Sequence, residues 1–408
     1  MPTNTPFKIA IPDEKLRRLK KKLLFTDLPD EVTSTKDPWA RGVPLSDIKR
    51  LTAYWAETFD WRKAETKLNE LPQFVTTINV DDFGQYDVHY VHKKSESVQG
   101  IPLLFLHGWP GGFFEVSKLL PYLHGGESEA AFHVVAPSLV DFGFSSESKK
   151  DGFAIDQHAE VCHKLMISLG YNEYVVHGGD LGGLTARFIA LKYGRAHCKA
   201  VHVTNVIPAE PTEAKHPEIY AEVQSTSLSA LEIDGLARTA KHFSKASGYY
   251  QLASTRPQTL GYALADSPVA LLAWIYEKLH DWVDSEYRWT DDDICTWVSI
   301  YWFSTAGPAA SSRAFYEFEN RQPEPAFPAS QVYINVPLGV VRFANDIVLL
   351  PRLWNRTLGP VIYESEYDVG GHWAAWERPD AIAKDLQAMF GRDGPAFACV
   401  TGKPGFTE

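Results

Sequence analysis

Apolar positions recur with helical spacing through the first seventy residues. Pro12-Asp13-Glu14 opens a helix with Leu16, Leu19 and Leu23 on one side and Lys and Arg on the other. Ser46 can cap a second helix that turns Ile48, Leu51, Tyr54 and Trp55 inward, after a proline-rich loop. Asp60 can cap a third over residues 61–68. Each helix has a single apolar face, so residues 1–73 are predicted to wrap a larger body. From Phe74 the period becomes two. Residues 74–80 and 87–92 read as strands around an Asp82-Phe83-Gly84 turn, which makes a hairpin.

Strand-like and helical runs then alternate. Strands are predicted at 101–106, 133–136, 174–176 and 200–206, with helices at 114–123, 155–169 and 184–193. This rhythm predicts an α/β fold: a mostly parallel central sheet with helices on both faces. It breaks at Pro208. Residues 208–330 show no strand alternation and are rich in Trp, Tyr and helical patterns, such as 269–282. They read as a helical lid inserted into the sheet domain. Strands resume at 339–343 and 360–367, and a closing helix runs over 379–390. The expected division is therefore 1–73 as a wrapping segment, 74–207 and 331–408 as the two parts of the core, and 208–330 as the lid.

Composition narrows the function. The 408 residues are 45% apolar and 22% charged, with a net charge of -11, which argues against nucleic acid or anionic membrane as main partners. Cys162, Cys198, Cys295 and Cys399 are scattered, without metal-ligand spacing, so neither a metal nor a cofactor is expected. Scattered thiols, no export signal core and no long apolar run fit a soluble, cytoplasmic protein. The last residues, from Gly405 on, match no retention or peroxisomal ending. The aromatic content, 12 Trp, 18 Tyr and 22 Phe, fits an aromatic-lined cavity or an aromatic-rich core.

The candidate chemistry centres on Tyr174-Val-Val-His-Gly-Gly-Asp180-Leu-Gly-Gly183. A short buried strand runs through glycines into a helix. Small residues lie two before and two after Asp180, the steric pattern of a strand-to-helix nucleophile elbow. The plainer reading of Asp180 is a helix N-cap. Upstream, His107-Gly108-Trp109-Pro110-Gly111-Gly112 follows a strand where an oxyanion hole needs a backbone N–H. The N–H of Leu181 would be its partner. Gly370-Gly371-His372 follows a late strand and suits a general base. Asp346, after the strand before it, is placed to hold the imidazole, with Asp368 and Glu364 as competing acids. The order Asp180, Asp346, His372 is nucleophile, acid, base as in α/β-hydrolases.

A carboxylate nucleophile is already ionised at neutral pH and can displace at an sp³ carbon, giving an alkyl ester. Water activated by His372 would then attack that ester. A halide leaving group needs donors around an anion; an epoxide oxygen needs an acid such as a tyrosine hydroxyl. The lid carries Tyr249, Tyr250 and Tyr316, although core packing is the commoner fate of any one tyrosine.

On these residues the chain resembles the microsomal-type epoxide hydrolases over nearly its whole length. Phe59-Asp60-Trp61-Arg62 and Leu71-Pro72-Gln73-Phe74 resemble that family's N-terminal region. His107-Gly108-Trp109-Pro110, Gly179-Asp180-Leu181-Gly182 and Gly370-Gly371-His372 match its oxyanion, nucleophile and base motifs. The resemblance implies an α/β-hydrolase fold and conversion of an epoxide and water to a vicinal diol. It implies Tyr249 and Tyr316 as the lid tyrosines that bind the epoxide oxygen. Tyr250 is the alternative for the first, because Gln251-Leu252-Ala253 departs from the family pattern. Trp109 and Tyr250 would touch substrate. A haloalkane dehalogenase-like hydrolase and a non-catalytic ligand-binding protein are the competing readings. A homodimer is compatible with the fold.

Overall fold

The computed structural model describes residues 4–32, 36–126 and 128–406. Part of the proline-rich loop, and Thr407 and Glu408 of the C-terminal ending, lie outside the described residues. A nine-stranded sheet runs through the protein. Its strands are β1 (Thr5–Pro6), β2 (Gln73–Val80), β3 (Gly84–Lys93), β4 (Ile101–Leu106), β5 (Phe132–Pro137), β6 (Tyr174–Gly178), β7 (Cys198–Val203), β8 (Leu338–Phe343) and β9 (Val361–Tyr367). The order is β1-β2-β3-β5-β4-β6-β7-β8-β9, antiparallel as far as β5 and parallel from there on. Every residue of β4, β5 and β6 is buried, as their continuous apolar runs require between two helical layers. The chain has the α/β-hydrolase fold.

The register positions the site. Leu106 at the end of β4 pairs with Gly178 at the end of β6, so the loops after these strands emerge side by side. Phe343 of β8 likewise pairs with Tyr367 of β9, which brings the loops carrying Asp346 and His372 together. All four loops leave the carboxyl edge of the parallel strands, where α/β sheets place their ligands.

Residues 208–330 form helices over that edge, among them Gly248–Thr255, Pro268–Asp281, Asp291–Trp302 and Ala310–Glu319. The N-terminal helices Asp13–Leu24, Leu45–Glu57 and Trp61–Leu68 pack on the lid. Trp55 Nε1 donates to Ser299 Oγ at 3.0 Å, Arg50 pairs with Asp291, Tyr54 with Asp292, and Lys22 with Asp266.

Local details differ from expectation where a single residue decides. Asp60 caps its helix, accepting from the N–H groups of Arg62 and Lys63. Ser46 does not cap the second helix. Pro44 sets its entry, and Glu31 takes the freed Leu45 N–H at 3.2 Å. The expected helix over 114–123 is broken into 3₁₀ turns flanking Val116–Leu119, because Pro121 has no N–H to continue the ladder. Residues 1–73 also contribute β1, a two-residue strand too short to leave any period in the sequence.

Candidate active site

The chain turns from β6 into the helix Leu181–Tyr193 at Asp180, whose φ of 51° and ψ of -128° lie outside the ordinary regions for a side-chain-bearing residue. Glycine makes the bend feasible. A Cβ on Gly178 would sit 2.5 Å from the Gly182 carbonyl, and one on Gly182 would sit 2.1 Å from the carbonyl oxygen of Leu106. The Asp180 side chain makes no capping bond to its own helix. Its Oδ1 accepts the main-chain N–H of Trp109 at 2.8 Å, and its Oδ2 lies 3.6 Å from His372 Nε2. Among the described residues, the Leu181 amide makes no bond to this carboxylate. The carboxylate is 22% exposed, whereas His372 and Asp346 are buried.

His372 Nδ1 lies 2.8 Å from Asp346 Oδ1. That oxygen also accepts from Asn205 Nδ2 at 2.8 Å and the Ile347 amide at 2.7 Å. With a carboxylate facing Nδ1, the proton belongs there, leaving Nε2 to face Asp180. The ring stands edge-on to Trp282 and Trp373, and its main-chain N–H is held by the Trp282 carbonyl at 2.8 Å. Burial alone would push the imidazole pKa down. Asp346 and then Asp180 overcome this and raise it to about 10. Glu364 faces away to Arg352 and Asn355, so of the three candidate acids Asp346 is the one in contact with His372.

The lid tyrosines differ in placement. Tyr249 lies parallel to the Trp109 indole, with ring centroids 5.2 Å apart and planes 8° apart. Its hydroxyl has no hydrogen-bond partner among the described residues. Burial and then the Asp180 charge push its pKa upward, so it stays protonated. The ammonium of buried Lys278 lies over the Tyr249 ring, 5.2 Å from its centroid. Tyr250 turns its hydroxyl to Glu319 and packs its ring on Phe315 and Phe327. Tyr316 is 40% exposed and its hydroxyl has no hydrogen-bond partner among the described residues, while the adjacent Phe315 takes the place edge-on to Trp109. The Trp109 side chain is itself buried, with Nε1 donating to Ser311.

Two small cavities flank Asp180. One, of about 20 Å³, is lined by Leu184, Asn205, Ile207 and Phe327 among others. The other, of about 30 Å³, lies between Gly108, Glu115, Asp180 and His372. Asn205 and Glu115 were not singled out by motif. Asn205 comes two residues after β7, and Glu115 sits in the apolar run behind the glycine loop, where its carboxylate takes the Gly112 N–H at 2.8 Å.

A sheet with this order, a strained bend after β6 and a helical roof over its carboxyl edge defines an α/β-hydrolase, and residues 101–259 match the alpha/beta hydrolase fold family. Residues 4–116 match the epoxide hydrolase N terminus family. The structure is similar to that of the Aspergillus niger epoxide hydrolase, with a TM-score of 0.82, 33% identity and 95% of each chain covered. It is also similar to the juvenile hormone epoxide hydrolase of Bombyx mori, with a TM-score of 0.84, 25% identity, and 95% of this chain and 93% of that one covered. Epoxide hydrolase 1 of Oryctolagus cuniculus is 31% identical over 95% of this chain and 88% of its own length. The chain belongs to the epoxide hydrolase family and is a hydrolase acting on epoxides. Among the described residues, no helix is long and apolar enough to cross a membrane.

Proposed function

We propose that the protein opens epoxides through a covalent ester on Asp180 and hydrolyses that ester with His372 and Asp346. The observation that carries this is the arrangement of the Asp180 carboxylate: one oxygen tied to the Trp109 amide, the other facing the imidazole. Oδ2 attacks a ring carbon of the epoxide, and the C–O bond of the ring breaks. Tyr249 donates a hydrogen bond to the departing oxygen, with Tyr316 as the second donor. Its free hydroxyl and its stacking on Trp109 support the role of Tyr249; Tyr316 would have to turn inward with substrate bound. Tyr250, already engaged by Glu319, contributes its ring to the roof.

Protons balance over the cycle. The resting imidazolium gives up the proton that ends on the new hydroxyl, relayed through Tyr249. Esterification removes the Asp180 charge that helped hold that proton, so His372 becomes a base when a base is needed. Water then attacks Asp180 Cγ, its proton passes to His372 Nε2, and the developing oxyanion on Oδ1 is met by the amides of Trp109 and Leu181. Rupture of the Cγ–Oδ2 bond, with the water's second proton passing to the departing Oδ2, releases the vicinal diol and restores carboxylate and imidazolium. Asp346, fixed by Asn205 and the Ile347 amide, stabilises the imidazolium throughout.

A single turnover in ¹⁸O-water with enzyme in excess tests the reading. The first diol should be unlabelled and the label should enter the Asp180 carboxylate. Label in the first diol would mean direct attack by water.

A further inference from the structure

Glu115 is a buried carboxyl group that makes no salt bridge among the described residues. One oxygen takes the Gly112 N–H; the second has no hydrogen-bond partner among the described residues. The loop it supports is clamped from the lid side, since Trp297 Nε1 donates to the Pro110 carbonyl and the Tyr301 hydroxyl to the Gly111 carbonyl at 2.6 Å. The loop also packs closely on the carboxyl group: a Cβ on Gly111 would sit 2.0 Å from Glu115 Oε1.

The about 30 Å³ cavity brings this carboxyl group together with Asp180 and His372. His372 Nε2 borders it as a buried nitrogen with no hydrogen-bond partner among the described residues. Phe105, Ala374 and Ala375 supply apolar wall. A buried water needs roughly 10–15 Å³ of such space and two or more polar partners. The cavity meets both conditions, and it lies behind the carboxylate rather than beneath the Tyr249 roof.

We propose that this cavity holds the water that cleaves the aspartyl ester, and that Glu115 holds that water together with His372 Nε2. The inference rests on the covalent ester proposed above. In the step itself, the water oxygen bonds to Asp180 Cγ, one of its protons goes to His372 Nε2, the Cγ–Oδ2 bond breaks, and the second proton passes to the departing Oδ2, which leaves as a hydroxyl of the diol. Glu115 neither gains nor loses a proton. Burial, opposed by the Gly112 N–H and His372, raises its pKa to about 8. Its part in the step needs only that the oxygen left free by Gly112 accepts a hydrogen bond from the water, which the NH₂ group of a glutamine cannot do.

Glu115→Gln separates this role from loop support. The glutamine carbonyl can still accept the Gly112 N–H, while the second oxygen becomes an NH₂ group. Rapid-quench mass spectrometry with excess enzyme and styrene oxide should show ester formation within about twofold of wild type. Ester decay should be slower by tenfold or more, so the adduct accumulates. Unchanged decay, or formation and decay slowed alike, overturns the inference. His372→Gln is run in parallel. If it accumulates ester while Glu115→Gln decays normally, only the Glu115 role fails; if neither it nor wild type ever carries an ester, the covalent reading fails as well. A crystal structure of the wild type gives a check independent of folding of the variant. Density for a water within hydrogen-bond reach of both Glu115 and His372 Nε2 supports the proposal, and its absence from the cavity at high resolution counts against it.

Discussion

The main-chain N–H of Trp109 donates to Asp180 Oδ1 at 2.8 Å, which makes the two oxygens of one carboxylate unequal. In the proposed mechanism Oδ1 becomes the ester carbonyl oxygen and Oδ2 is the oxygen that attacks. The neighbouring groups are poor substitutes for that oxygen: His372 is buried behind it, Tyr249 stays protonated, and Glu115 lies on the far side of the carboxylate from the lid. Asp180→Ala should therefore lower diol formation by roughly 10⁴-fold or more, while thermal unfolding and the far-ultraviolet spectrum stay near wild type. Retention of even a tenth of the activity would remove Asp180 from the mechanism.

His372→Gln should leave the nucleophile able to attack and remove the base that activates water. Intact-protein mass spectrometry should show an adduct of the substrate mass persisting for minutes, with steady-state turnover lost. A variant that turns over normally, or that never carries the adduct with an epoxide the wild type consumes, would contradict this division of labour.

The same histidine sets a pH dependence of stability. Its pKa rises from 6.5 to about 10 in the fold through Asp346 and Asp180, against burial. The stabilisation from its charged form is complete below pH 6.5, where the unfolded chain also holds that proton. It is lost as pH climbs through 10. Urea unfolding at pH 6.5, 8 and 10 should show wild type losing more stability over that interval than His372→Gln. Parallel curves would mean that the ring is neutral in the resting fold.

The tyrosines should separate by step. Tyr249→Phe removes a hydrogen bond to a developing negative charge, worth about 1.5–3 kcal/mol, and should slow ester formation by roughly 10- to 150-fold with ester decay unchanged. Tyr316→Phe should have a smaller effect on the same step, and Tyr250→Phe should leave it within about twofold of wild type. Stopped-flow tryptophan fluorescence can follow both phases, since Trp109 and Trp282 flank Tyr249. A dominant effect at Tyr250 would exchange the roles of the neighbours.

Much of this geometry is written in the chain because its chemistry lies directly after strands. Glycines around Asp180, the glycine loop after β4 and His372 after β9 each pair an apolar run with a turn, and a parallel sheet brings such turns to one edge. Asp346 is legible by the same logic. Asn205 and Glu115 are not, since their relevance depends on which loops the register sets side by side. The choice among Tyr249, Tyr250 and Tyr316 turns on helix phase. A rotation of one residue exchanges Phe315 for Tyr316 at the Trp109 ring, and periodicity read from sequence does not settle so small a step. The two-residue β1 and the break at Pro121 were hidden for a similar reason, as each is shorter than any repeat.

The roof over the catalytic edge is fastened from outside by residues of the amino-terminal helices, far from it in sequence: Trp55 to Ser299, Arg50 to Asp291, Lys22 to Asp266. Selectivity in this scaffold is therefore a two-piece inheritance. Grafting a foreign canopy onto this core, to change which epoxides it accepts, will succeed only when the matching amino-terminal clasp travels with it.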